Sequence, residues 1–371
     1  MTVLGTCWPD EVQQELLVAA YGDATPARRA VERWWSQIDL DEVDAGSFRL
    51  LPMLHANLTR HAIPAPSARL RGIHRQAVYR NRLLLRRLAE ELAVLTTAGI
   101  DHLVLKGAAL GPRYYPDVGA RPMGDVDVLV RLRDVGRADA HLQARGWQPE
   151  REIDRRTLVH SHAVAYRHAE GWELDLHWTV LPGIAAEPGG LDPWRHARGL
   201  TIDGVETMTL DATDELLLTL VHGLGWDVVP SIRWVGDALL LCRQPIDWDR
   251  LTDTAVRLGL ALPVADALLH LSVIYGADIP AEVHGALSAT PVAGWHRVEL
   301  WTRQRSYASI YAYVVALVLA THRRVGARPF ATAVLVPDLV AWRLGITRAG
   351  EVPAAILAWG RRLQQRRRRH R

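Results

Sequence analysis

Strand-forming sequence is confined to one stretch of this chain. Asp101-His102-Leu103-Val104-Leu105 predicts a short apolar strand running into Lys106-Gly107, and Val126-Asp127-Val128-Leu129-Val130 predicts a second. Residues 163–168 and 172–177 read as two further strands turning at Glu170-Gly171, and 200–203 with 205–210 as a hairpin around Asp203-Gly204. Between them, 108–115 predicts a short helix or turn, 117–122 a loop, and 133–145 a helix closed by Gly146. Everything outside is helical in pattern. Residues 12–21 and 27–38 carry apolar side chains three and four apart, and Ile63-Pro64-Ala65-Pro66-Ser67 breaks the chain. A long helix over 74–98 lines up Leu83, Leu84, Leu88, Leu92 and Leu95 before Gly99. After Asp211 or Thr213, each a fit N-cap, helices recur at 213–224, 232–242, 248–258 and 264–274. A chain of 371 residues so arranged is expected to be α+β: a small mixed sheet over 73–210, a helical region over 1–72, and another over 211–371 ending in a basic tail.

Within the strand region the charged residues are unusual. Of 44 Lys and Arg residues, Lys106 is the one lysine. An ammonium is a compact point charge suited to phosphate, whereas a guanidinium is a planar fork. Asp125 and Asp127 fall two apart on a strand, so both point to one face. Two carboxylates so placed can converge on a divalent cation, and Mg²⁺, or Mn²⁺, suits all-oxygen ligation beside substrate phosphates. Trp172-Glu173-Leu174-Asp175-Leu176-His177-Trp178 alternates in the same way and offers Asp175 as the third acid, as metal ligand or general base, with His177 orienting it or touching substrate. Gly107 lets backbone amides approach phosphate oxygens, and Arg121 offers a phosphate fork.

Composition excludes several classes. A net charge of +3 becomes −4 without the seven arginines of 361–371, so the body is not a nucleic-acid-binding surface by charge. The tail reads as a solvated helix end, with RNA or an acidic membrane as the other option. Cys7 and Cys242 have no zinc spacing and form no disulfide framework. The first residues lack the basic start and apolar stretch of a signal peptide, and the longest apolar run, 307–320, is too short to span a bilayer. A cytoplasmic protein is expected.

Leu105-Lys106-Gly107-Ala108-Ala109-Leu110, Tyr115-Pro116, the run from Arg121 to Val130, Leu174-Asp175-Leu176-His177-Trp178, Asp214-Glu215-Leu216-Leu217-Leu218 through His222 with Trp226, and Arg233-Trp234-Val235-Gly236-Asp237 together resemble an uncharacterised bacterial nucleotidyltransferase family of the polymerase-beta-like superfamily. The resemblance covers about residues 80–245. It implies a small mixed sheet with flanking helices. It implies metal-binding aspartates at Asp125, Asp127 and Asp175, and a nucleotide-binding turn at Gly107, where Ala108 replaces the Ser or Gly often found next. Lys106 is the residue placed to compensate. The expected reaction transfers a nucleotidyl group from an NTP, ATP foremost, to an unknown acceptor hydroxyl or phosphate. Arg233 and His177 are candidates on the acceptor side, with His222, Trp226 and Asp237 behind them. Phosphoryl transfer to a peptide or small molecule, and a non-catalytic nucleotide-binding partner protein, are the alternatives.

Overall fold

The computed structural model describes residues 7–181, 191–225, 232–305, 310–324 and 326–346. Trp226 and the arginine tail lie outside the described residues. The first helices are α1 (Glu11–Tyr21), α2 (Ala24–Trp35), the single turn α3 (Ala45–Phe48), α4 (Leu51–Arg60) and the long α5 (Arg69–Thr97). The sheet region runs β1 (His102–Leu105), α6 (Lys106–Tyr114), β2 (Val126–Val130), α7 (Val135–Ala144), β3 (Trp147–Pro149), α8 (Arg155–His160), β4 (Ala163–His168), β5 (Glu173–His177), β6 (Arg198–Ile202) and β7 (Val205–Thr209). Helices then continue through α9 (Ala212–Gly223), α10 (Arg233–Cys242), α11 (Trp248–Arg257), α12 (Ala261–Tyr275), α13 (Ala281–Ala289), α14 (Gly294–Arg305), α15 (Ile310–Arg324) and α16 (Pro329–Leu344). Among the described residues no helix is long and apolar enough to cross a membrane.

The seven strands form one mixed sheet in the order β3-β4-β5-β2-β1-β7-β6. At its centre β2 pairs antiparallel with β1 and parallel with β5. The expected α+β fold is observed, with local departures. β3 was not foreseen: Trp147-Gln148-Pro149 is too short to show alternation, and its place is set by pairing with β4 and by the buried Trp147 indole. α5 starts earlier than the leucine stripe predicts. Asp211 rather than Thr213 caps α9, accepting from the Asp214 amide.

Alternation along the central strands sorts their side chains into two cores. Val104, Val126, Val128, Val130, Leu174 and Leu176 join Leu84, Leu88, Leu92 and Leu95 of α5 and the apolar side of α7 on one face; Leu83, expected in the same stripe, is exposed because it sits one residue off that face. Leu103, Leu105 and Leu129 face the other way, into a larger core with α1, α2, α4, α9, α10 and α12. The helices before the sheet and those after it therefore share one apolar layer. β2 presents Asp127 to that layer, because Asp127 is register partner to Leu105 and lies two residues from Leu129.

Candidate active site

A cleft of about 570 Å³ opens between the sheet and this helical layer. Its floor is set by strand register. Asp127 on β2 stands directly beside Asp175 on the parallel β5, and Leu129 beside His177. Asp127, Asp175 and His177 each offer one ligand atom within 4.8 Å of the others. Asp125, just before β2, is outside that tight group but lines the same cleft.

Asp127 Oδ1 accepts two bonds, one from Lys106 Nζ at 2.6 Å and one from His177 Nε2 at 2.9 Å. Its carboxyl is buried, which by itself raises the pKa, but Lys106 and His177 hold it below the ordinary carboxylate range. Burial pushes the Asp175 carboxyl up to about 6, with the Asp127 charge adding to the shift. Asp125 is raised for the same reasons, enclosure first and Asp127 second, although the residue remains open to solvent in the cleft. The Lys106 ammonium is pulled down by burial, and Asp127, Asp175 and Asp125 more than reverse that. Three carboxylates thus repel one another around a single ammonium.

His177, a candidate on the acceptor side, stands beneath the cleft floor. It is 1% exposed and committed to Asp127. Its Nδ1 is buried with no partner among the described residues, and because the Asp127 carboxylate can only accept, Nε2 carries the proton of their bond. The His162 ring packs 5.3 Å from it, and burial keeps that imidazole well below its ordinary pKa.

Lys106 reaches the floor because β1 ends at Leu105 and the backbone turns sharply into α6, with Lys106 itself at φ 49. A left-handed conformation is uncommon for a residue with a Cβ. Gly107 lines the cleft at this turn, and its lack of a side chain also serves packing. A Cβ there would lie 2.4 Å from Arg121 Nη1 and 3.2 Å from Met123 Cγ, so the missing side chain makes room for the guanidinium.

The Arg121 fork, expected to clamp phosphate, is occupied. Its Nε and Nη2 donate to the two oxygens of Asp237 on α10, each at 2.8 Å. Tyr115 Oη donates to Asp237 Oδ1 at 2.6 Å, and Tyr21 Oη on α1 lies 3.1 Å from Tyr115 Oη. Burial works against the Asp237 charge, but Arg121 overcomes it and the pKa is lowered. The loop carrying Arg121 is braced by Asn81 of α5, which donates to the Arg121 carbonyl at 2.8 Å and accepts from the Met123 amide at 3.1 Å.

Arg233 lines the cleft with one hydrogen bond, Nη1 to the Pro122 carbonyl at 2.6 Å. Burial, then Arg121 and other neighbours including Arg49, pull its pKa down to about 10, still charged at neutral pH. Arg49, just after α3, and Arg80 of α5 line the same cleft. Sequence reasoning missed both, because among so many arginines neither carries a local signal. His222 opens from α9 as an exposed residue of the cleft, and the surrounding protein first, then the Lys106 charge, push its imidazole below the ordinary range. The cleft therefore sets an acidic floor against guanidinium groups from three helical segments, an arrangement suited to a polyanion accompanied by divalent cations.

No curated protein matches the chain. One solved structure it resembles is an antigenic nucleotidyltransferase-like protein from Paracoccidioides brasiliensis, at 15% identity and a TM-score of 0.32, covering 57% of this chain and 94% of that one. Residues 45–276 match a family described as uncharacterised nucleotidyltransferase, a span that includes Arg49, Arg80 and every acid of the cleft floor. With well over half its length matched, the chain belongs to that family of uncharacterised nucleotidyltransferases.

Proposed function

We propose that this protein is a metal-dependent nucleotidyltransferase that moves a nucleoside monophosphate from an NTP, ATP foremost, to an acceptor hydroxyl or phosphate and releases pyrophosphate. The observation that carries the reading is the in-register pair Asp127 and Asp175 under Lys106, with Asp125 on the same cleft. The residues fit a hard divalent cation. Their donors are carboxylate oxygens, and the carboxyls of Asp125 and Asp175 are raised by burial first and by the Asp127 charge second, so a cation entering among them would relieve both. Mg²⁺ or Mn²⁺ held by Asp125, Asp127 and Asp175 would lower the pKa of the acceptor oxygen and neutralise charge on the α-phosphate and leaving group.

The chain's own groups divide the remaining work. His177 fixes the Asp127 carboxylate by donating to Oδ1. Lys106, Arg233, Arg49 and Arg80 meet the phosphates as charge develops on the departing pyrophosphate. Arg121, fixed on Asp237 with Nη1 next to Gly107, adds positive potential at the turn. Asp175, beside Asp127 on the cleft floor, serves as metal ligand or as the base that takes the acceptor's proton. The acceptor oxygen forms a bond to the α-phosphorus while the bond from that phosphorus to the pyrophosphate oxygen breaks. Extract incubated with α-labelled ATP should acquire label in the presence of Mg²⁺ and the wild-type protein, and lose it with Asp127→Asn. Transfer of γ-label without α-label would replace this reading with phosphoryl transfer, and α-transfer that survives Asp127→Asn would refute the assigned site.

A further inference from the structure

We propose that Lys106 is an exchangeable counter-ion: its ammonium holds Asp127 until a divalent cation takes that carboxylate, and the freed ammonium then binds nucleotide phosphate, so that cation and nucleotide load cooperatively. The inference rests on the metal-site reading above and extends it to the order in which the site fills.

Asp127 Oδ1 already receives two donors, at 2.6 and 2.9 Å. A dication seated at Oδ1 displaces one of them; at Oδ2, which no other described residue bonds, it still meets the repulsion of the ammonium held on the same carboxylate. His177 is the poorer candidate to leave, because its side chain is 1% exposed on a central strand and packed against His162. The Lys106 side chain is 20% exposed, ends in a flexible stem, and is attached to Asp127 by one hydrogen bond. Arg121 makes the contrast. Its fork grips Asp237 with two bonds, in the manner of a fixed structural pair. A chain that uses arginine at every other basic position keeps an ammonium where the partner must be released.

The backbone supports this. Lys106 sits at φ 49, a conformation glycine would adopt more readily, and it directs the side chain from the β1–α6 turn onto the acids. Once displaced, the ammonium remains in the cleft lined by Arg49, Arg80 and Arg233, where a triphosphate would be drawn. A cation favours the freed ammonium, which favours the nucleotide, and by linkage the nucleotide favours the cation equally.

The single lysine makes the exchange directly observable. Protein labelled with ¹⁵N-lysine gives one Nζ resonance, that of Lys106. Titration with Mg²⁺ should move this resonance, and addition of the non-hydrolysable analogue α,β-methylene-ATP should move it again. In parallel, Mn²⁺ binding is read by electron paramagnetic resonance. Lys106→Met should bind Mn²⁺ about tenfold more tightly than wild type without nucleotide, and should lose most of the roughly tenfold gain that the analogue gives wild type. An Nζ resonance unmoved by saturating Mg²⁺, or Mn²⁺ affinity unchanged or weakened in Lys106→Met, overturns the exchange. Should Lys106→Met not fold, the resonance of the wild-type protein decides alone. Asp127→Asn separates the two levels: if it binds Mn²⁺ as well as wild type, the metal site itself is misassigned and the exchange falls with it.

Discussion

Gly107→Ala tests the link between the β1–α6 turn and the buried ion pair behind it. The added Cβ would lie 2.4 Å from Arg121 Nη1, about 1 Å inside ordinary contact distance, so the guanidinium has to retreat. It is held at Nε and Nη2 by bonds of 2.8 Å to Asp237, and both side chains are nearly fully buried. A displacement of that size breaks at least one charge-assisted bond, at a cost of ~1.5–3 kcal/mol. Complete separation of a buried pair would cost ~3–5 kcal/mol. We expect Gly107→Ala to destabilise by ~2–4 kcal/mol in urea unfolding followed by tryptophan fluorescence. Arg121→Lys alone should cost ~1.5–3 kcal/mol by giving up the fork. Because Lys is too short to occupy the space above residue 107, the double variant should cost at least ~1 kcal/mol less than the sum of the two. Strict additivity, or a Gly107→Ala variant within ~0.5 kcal/mol of wild type, would refute the packing of Arg121 on Gly107.

Glu215 on α9 is 1% exposed, with neither carboxylate oxygen hydrogen-bonded to a described residue, and burial above all pushes it up to about 8. A carboxyl whose folded pKa is raised contributes stability at low pH and loses it as pH climbs from about 4.5 to about 8; over that window the wild type should lose up to ~5 kcal/mol from this group, and Glu215→Gln should flatten the profile measured by urea midpoints. Arg49→Gln and Arg80→Gln, neither in a hydrogen bond or ion pair to another described residue, should leave the melting temperature within a degree or two while weakening ATP binding several-fold each, with a smaller salt dependence than wild type in calorimetric titrations. Tyr21→Phe removes a buried hydroxyl contact to Tyr115 and should cost ~0.5–1.5 kcal/mol, with a lowered melting temperature as readout.

The parts of this protein that the sequence discloses are those governed by local period. Asp125, Asp127 and Asp175 could be placed on one side of neighbouring strands because side chains alternate, and the register Asp127↔Asp175 agrees with that alternation. The strand containing Trp147 was hidden because three residues carry no period, and its existence depends on its partner β4. Arg121 could be read as a free fork because its partner lies 116 residues away, and no local rule connects a loop arginine to an aspartate on a distant helix. The same limit hid the bond from His177 to Asp127: the period of β5 gave the face of His177, but the donor atom's target was set by the neighbouring strand.

The helical layer carries a further consequence of the same physics. The apolar residues of α1, α4, α9 and α10 bury the sheet face that bears the acids, and the gap they leave over Asp127 is the cleft. A helix that covers such a face cannot avoid placing side chains at the rim of the gap. Arg49 and Arg233 stand there from either side of the strand region in sequence, and each is without a carboxylate partner among the described residues. Isolated cations would be displaced toward bulk water, and burial first, with the Arg121 and Arg49 charges adding to it, already lowers the Arg233 pKa to about 10. They are held in place by the core beneath, with Trp234 3% exposed beside Arg233 and Leu50 fully buried beside Arg49. Packing therefore sustains an electrostatic arrangement that is unfavourable until an anion enters. Replacing Leu50 with alanine, at ~2–5 kcal/mol of stability, should loosen nucleotide binding along with the core, while leaving Mn²⁺ binding at the sheet acids closer to wild type.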